Sequence, residues 1–172
     1  IGFISRLKPK REELKALSAA IGTAGVSGMF LWGAEGDPDV EFGDEDLRRT
    51  KSELSENTDG DVIFIGCPFV TLPEFELLAK MLKGKKFLKP AYLFTSRSVY
   101  REAVLRGYVK AVEGSGMKIF KDLCPTLTPI VKYKEIKTVI TPSVKASHYL
   151  RAKFSSSIIL KGIDEIIREF TK

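Results

Sequence analysis

Apolar and polar positions fall into blocks along this chain, and the blocks alternate between two spacings. "KPKREELKALSAAIG" (8–22) places Leu14, Leu17, Ala20 and Ile21 on one stripe and predicts a helix. "SGMFLWG" (27–33) is a short apolar run closed by glycine, which predicts a strand. "DEDLRRTKSELSE" (44–56) predicts a charged helix opened by Asp44. "DVIFIG" (61–66) is a continuous apolar run ending at Gly66, the pattern of a strand covered on both faces. "TLPEFELLAKMLKG" (71–84) predicts a helix with Thr71 as N-cap, Glu74 completing a capping box and Gly84 as C-cap.

The alternation continues to the end of the chain. "PAYLFTS" (90–96), "MKIFKDL" (117–123), "KTVITPS" (137–143) and "SSIILKG" (156–162) read as strands. "RSVYREAVLRGYVKAVEGSG" (97–116) reads as one long helix, followed later by "VKASHYLRAKF" (144–154) and "IDEIIREFTK" (163–172). Strands that alternate with helices predict an α/β fold, a largely parallel sheet with helices on both faces. Right-handed crossovers then gather the C-terminal ends of the strands on one edge, where such sheets bind ligands. Gly66-Cys67-Pro68, Thr95-Ser96-Arg97, Leu123-Cys124-Pro125 and Thr141-Pro142-Ser143 each follow a predicted strand directly. Four strand ends are therefore expected at one crevice.

Length and composition narrow the class. The 172 residues suit one α/β domain or a fragment of a larger protein, and the first residue, Ile1, points to a processed chain or an excised domain. Apolar residues make up 44%, enough for a core, yet no run approaches the roughly 20 residues that span a bilayer. With no basic–apolar–small signal segment either, a cytoplasmic protein is expected. Lys and Arg number 28 against 22 acids, a net charge of +6. The charges are dispersed, as on a solvated surface. The densest basic run, "KGKKFLK" (83–89), reads as a helix–strand loop and lacks the spaced aromatics of a base-stacking platform, so nucleic acid is not the expected partner. An anionic small molecule fits the charge balance. The acidic stretch 34–46 reads as a solvated connection or a lid.

The candidate chemistry lies at the strand ends. The two cysteines, Cys67 and Cys124, are each followed by proline, which removes a backbone donor and fixes the local turn. Residue type alone leaves three readings open: structural thiols, metal or cluster ligands, and a redox pair. A zinc site is disfavoured, because His148 is the only histidine. Ser96 and Ser143 stand where they would cap helices, and together with Arg97 and Lys145 they also suit an anion site at helix N-termini. His148 reads as a surface or a hydrogen-bond-satisfied residue, Phe69 and Trp32 as core. No P-loop, nucleophile elbow or paired catalytic carboxylates are present.

The order of these pieces resembles the C-terminal part of the aconitase X family. The resemblance is carried by "LKPKREELKALSAAIGTAGVSGMFLWGAEGDPD", "DVIFIGCPFVTLPEFELLAKMLKGKK", "TSRSVYREAVLRGYVKAVEGSGMKIFKDLCP" and "TPSVKASHYL", and it covers nearly the whole chain. It implies an aconitase-like three-layer α/β fold and a hydro-lyase that removes water from a small hydroxy acid. The substrates it implies are phosphomevalonate, for isoprenoid synthesis, or else cis-3-hydroxy-L-proline; the alternative to an enzyme is a non-catalytic binding or assembly module. The implied cofactor is an iron–sulfur cluster of the 4Fe-4S type, or else a 2Fe-2S cluster or a single iron. The implied partner is a small swivelling-domain subunit, which would carry the catalytic base. By the same resemblance Cys67 and Cys124 are metal ligands, and Thr95, Ser96, Arg97, Ser143 and Lys145 contact the substrate. Two departures stand out: Phe69 replaces the His usual in the family, and no third cysteine follows in "KGIDEIIREF".

Overall fold

The computed structural model describes residues 1–25, 29–55, 59–127 and 136–172. They divide into two compact units, Ile1–Glu53 and Leu54–Lys172.

In the first unit β1 (Gly2–Phe3) pairs in parallel with β2 (Leu31–Trp32), and α1 (Arg11–Ala24) connects them. The strand expected over 27–33 is therefore reduced, among the described residues, to its last two apolar positions. Phe3 stacks on Trp32 with ring centroids 5.6 Å apart, and the Trp32 indole donates to the Leu7 carbonyl at 3.2 Å. Met29 and Leu31 stay exposed, so the run has little apolar surface to bury and no reason to extend. α2 (Asp44–Leu54) opens at Asp44 as predicted, with Asp46 accepting from the Gly43 amide.

The second unit is a five-stranded, wholly parallel sheet. Its strands are β3 (Val62–Val70), β4 (Ala91–Thr95), β5 (Lys118–Lys121), β6 (Thr138–Thr141) and β7 (Ser157–Leu160), in spatial order β5-β4-β3-β6-β7. Ile63, Ile65 and Leu93 point to one face, where they pack with Phe75 and Leu78 of α3 (Leu72–Met81), Val112 of α5 (Tyr108–Gly114) and Ile166 of α7 (Ile163–Phe170). Val62, Phe64, Phe94 and Val139 point to the other, against Ala146 and Leu150 of α6 (Val144–Phe154). Each large apolar side chain removed from water contributes about 1.5–3 kcal/mol, and both faces are filled. The result is the three-layer α/β arrangement that the alternating pattern predicts. β3 leads to β4 on one side and borders β6 on the other. Its C-terminal end is thus the point where the strand order reverses, the place such sheets leave a crevice.

Three local expectations are corrected. β3 does not stop at Gly66: Ile65 pairs with Leu93 and Val70 with Thr95, so Gly66–Phe69 bulge out against Phe94 alone before the ladder resumes. The long helix breaks into α4 (Arg97–Leu105) and α5 at Gly107, whose φ of +75° leaves the helical region. Finally, α3 ends at Met81 with Leu82 as C-cap, and Gly84 lies in the turn beyond. Its N-terminal capping box is as expected, with the Thr71 amide donating to Glu74 Oε2 at 2.7 Å.

Gly66 is the position that tolerates least. Its φ is +114°, and a Cβ added there would lie 2.1 Å from the Phe94 carbonyl oxygen. Gly66→Ala is therefore expected to cost at least about 3 kcal/mol, from positive-φ strain plus a backbone overlap no rotamer relieves. Denaturant unfolding checks this, and a loss below about 1 kcal/mol would contradict the close approach.

Candidate functional site

The bulge in β3 fixes where the first thiol sits. Forcing Gly66–Phe69 out of the ladder turns Cys67 to the C-terminal edge of the sheet, where its cis peptide bond to Pro68 lies. A bulge also strips backbone carbonyls of their ladder partners, and buried ones must find others. Thr95, fully buried at the end of β4, donates its hydroxyl to the Val70 carbonyl at 2.8 Å. Ser143, after β6, donates to the Cys67 carbonyl and accepts from the Ala146 amide at 2.9 Å as the N-cap of α6. The two hydroxyls thus hold both ends of the bulge.

Cys124 reaches the same edge from the loop after β5. That loop passes the end of β4: Leu123 packs into the core on the α6 face, and Lys153 of α6 donates to the Thr126 carbonyl at 3.4 Å. Cys124 is half-buried, its sulfur 3.1 Å from Thr126 Oγ1. Neither cysteine is in a disulfide.

The electrostatics join the pieces. Burial pushes the Cys67 thiol above its ordinary 9.0, and the neighbouring Cys124 thiolate pushes it further. The Ser143 hydroxyl, close enough to hydrogen-bond the sulfur, and the Lys145 ammonium pull it back down. Cys67, Cys124, Ser143 and Lys145 are therefore one constellation, built from the ends of β3, β5 and β6. Among the described residues no group of three or more His, Cys, Asp and Glu side chains is placed to hold a metal ion. The donor set supplies two soft ligands.

The other strand-end residues are occupied differently. Ser96 caps α4, accepting from the Val99 amide at 3.2 Å, with Ser98 Oγ 2.9 Å away. Arg97 is ion-paired: its Nε donates to Asp122 at 3.1 Å and its backbone amide to the same carboxylate at 2.9 Å. Lys121 lies over the Tyr100 ring, 4.5 Å from its centroid. Lys145 is the cation whose charge reaches the Cys67 thiol. His148 is exposed on α6 against the edge of Tyr149, in keeping with a surface role. Phe69 and Trp32 are half-buried. Asp122 and Thr126 are the two contributors that sequence reading passed over. Thr126, two residues beyond Cys124, was the more visible; Asp122 acts through a left-handed backbone, φ +56°.

A parallel three-layer α/β domain with two thiols and a lysine at its strand-order reversal is the class of protein defined here. Residues 60–172, within the second unit, match the model of the aconitase X third domain. The chain belongs to the aconitase X family. It is 30% identical to the phosphomevalonate dehydratase large subunit of Thermococcus kodakarensis, over 98% of this chain and 47% of that one. It is also 30% identical to that of Methanocaldococcus jannaschii, over 95% and 43%. Identity to cis-3-hydroxy-L-proline dehydratase of Hypocrea jecorina is 26%, over 83% and 28%. The crystal structure of Thermococcus kodakaraensis aconitase X in its holo form superposes with a TM-score of 0.85 at 30% identity, over 96% of this chain and 46% of that chain. The chain thus spans about half the length of these dehydratase large subunits, and less of the hydroxyproline enzyme.

Iodoacetamide is expected to label Cys124 well before Cys67 at pH 7.5, since Cys67 is both 8% exposed and held as the neutral thiol. Labelling of Cys67 rises only as the pH passes above 9.0, its ordinary value. Mass spectrometry of the labelled peptides checks the order; equal rates at pH 7.5 would contradict the burial of Cys67.

Proposed function

We propose that this chain is part of the large subunit of a hydro-lyase that dehydrates phosphomevalonate to trans-anhydromevalonate phosphate, using an iron–sulfur cluster of the 4Fe-4S type and a small swivelling subunit. What supports the reading is that Cys67 and Cys124 stand at strand ends on one edge of the parallel sheet, with Lys145 opening the helix after β6. The names of the archaeal relatives support a dehydratase of the mevalonate pathway. Their 30% identity exceeds the 26% to the hydroxyproline enzyme.

Two thiols fit part of a cluster's ligand set, which takes three or four donors; the remainder belongs to the rest of the large subunit. When bound, the cluster supplies a Lewis acid that makes hydroxide a better leaving group. The residues of this chain do the rest of the holding. Cys67 and Cys124 ligate as thiolates, so binding must remove the proton that burial keeps on Cys67. The Ser143 hydroxyl has a single proton, which cannot serve the Cys67 carbonyl and sulfur together. As thiolate, Cys67 competes for it. Lys145 holds the carboxylate or phosphate of the substrate at the thiol edge, as a point charge. Thr95 acts on the substrate through the backbone it fixes, since its O–H is given to the Val70 carbonyl, whereas Ser96, which accepts from the Val99 amide, keeps an O–H to donate. Arg97 reaches an anion only by sharing it with Asp122. The base that takes the proton from the adjacent carbon comes from the partner subunit.

A non-catalytic assembly module is the second reading. It is favoured by the absence of a third donor beside the thiols among the described residues. Turnover separates the two. The intact protein with its small subunit is expected to consume phosphomevalonate, and Lys145→Ala to lower kcat/KM about 100-fold, chiefly through KM. Turnover of cis-3-hydroxy-L-proline alone would overturn the substrate. No turnover of either, in a preparation loaded with iron, would favour the module.

A further inference from the structure

The groove at the other edge of the sheet has no part in the chemistry above. α3 and α5 run back from the strand ends, so their C-termini lie at the N-terminal edge of the strands. β4 alone, at about 3.3 Å per residue, separates the two edges by roughly 16 Å. Here a groove of about 400 Å³ opens between the turn after α3 and α5. Lys83, Lys85, Lys86 and Lys110 surround it, and its floor includes Gly84 and Gly107, where no side chain blocks approach to the backbone. This is the "KGKKFLK" run, joined by a fourth lysine from a helix distant in sequence.

What marks the groove is the convergence of four ammonium groups on one cavity. Some basic residues of this unit are matched, Lys80 with Glu76, Lys89 with Asp59, Arg106 with Glu102 and Lys161 with Glu169. None of the four groove lysines meets a carboxylate among the described residues, and no acidic side chain lines the groove. Lys86 is tied to the Gly114 carbonyl at the end of α5. The helix C-termini contribute only about half a negative charge each, too little to offset four ammonium groups. A concave site lined by one sign of charge concentrates its counterions.

We propose that this groove binds a small ligand carrying two linked phosphoryl groups, at a site separate from the thiol edge. Lys86 keeps its charge and further N–H donors while it bonds Gly114, so four ammonium groups face the groove. One phosphoryl group carries about −1.5 to −2 near neutral pH, so two match them better than one. The glycine floor lets the ligand body lie against backbone, and the volume suits a small organic tail.

Isothermal titration of the intact protein with pyrophosphate and with inorganic phosphate tests this. Pyrophosphate is expected to bind more tightly than phosphate. The double variant Lys83→Ala/Lys110→Ala is expected to weaken pyrophosphate at least about tenfold without lowering Tm, because it removes like-charge repulsion. Lys145→Ala, at the opposite edge, should leave this binding unchanged. Three results would overturn the proposal: no pyrophosphate binding, binding that survives the double variant, or a single-stranded oligonucleotide binding more tightly than pyrophosphate through the same lysines.

Discussion

The thiol edge depends on Gly66 lying against the carbonyl of Phe94. No residue with a Cβ fits there, and the approach is what lets β3 bulge over Gly66–Phe69 and still rejoin β4 at Val70. Even within the bulge Cys67 stays in the core on the α6 side, 8% exposed. The bulge sets it at the edge and leaves two backbone carbonyls needing donors. Thr95 and Ser143 supply them. A steric exception thus becomes a hydrogen-bonding demand, and the demand fixes which hydroxyls at the crevice are free.

That is also where sequence reading succeeds and where it stops. The sheet was legible because strands covered on both faces carry unbroken apolar runs, as in Val62–Ile65 and Val139–Ile140. The helix starts at Thr71, Ser96 and Ser143 were legible because capping is local chemistry. The two cysteines were legible as candidates because strand ends in such folds share an edge. The commitments of the hydroxyls were not. Ser143 answers to a carbonyl 76 residues away, and Thr95 to one 25 residues away. Nothing local in "TPSVK" or "LFTSR" signals either bond. Arg97 resembles a free anion contact until Asp122, in a left-handed turn, meets it from the next strand's loop. The break at Gly107 was missed because the apolar stripe continues on both sides of it.

The charge pattern divides the domain by edge. At the C-terminal edge Lys145 acts on Cys67, whose thiol proton burial retains, a site that gains when a metal displaces that proton. At the N-terminal edge four lysines converge with no acid to balance them. The net charge of +6 is therefore not simply a solvated surface; part of it is concentrated where the fold makes a groove.

The central claim is that Cys67 and Cys124 belong to one iron site. Anaerobic reconstitution of the intact protein with iron and sulfide, followed by iron and sulfide counts, tests it most directly when repeated on Cys67→Ala and Cys124→Ala. The account predicts iron and sulfide bound by the parent and lost from each variant alone. Retention of the full iron count by either variant would contradict it.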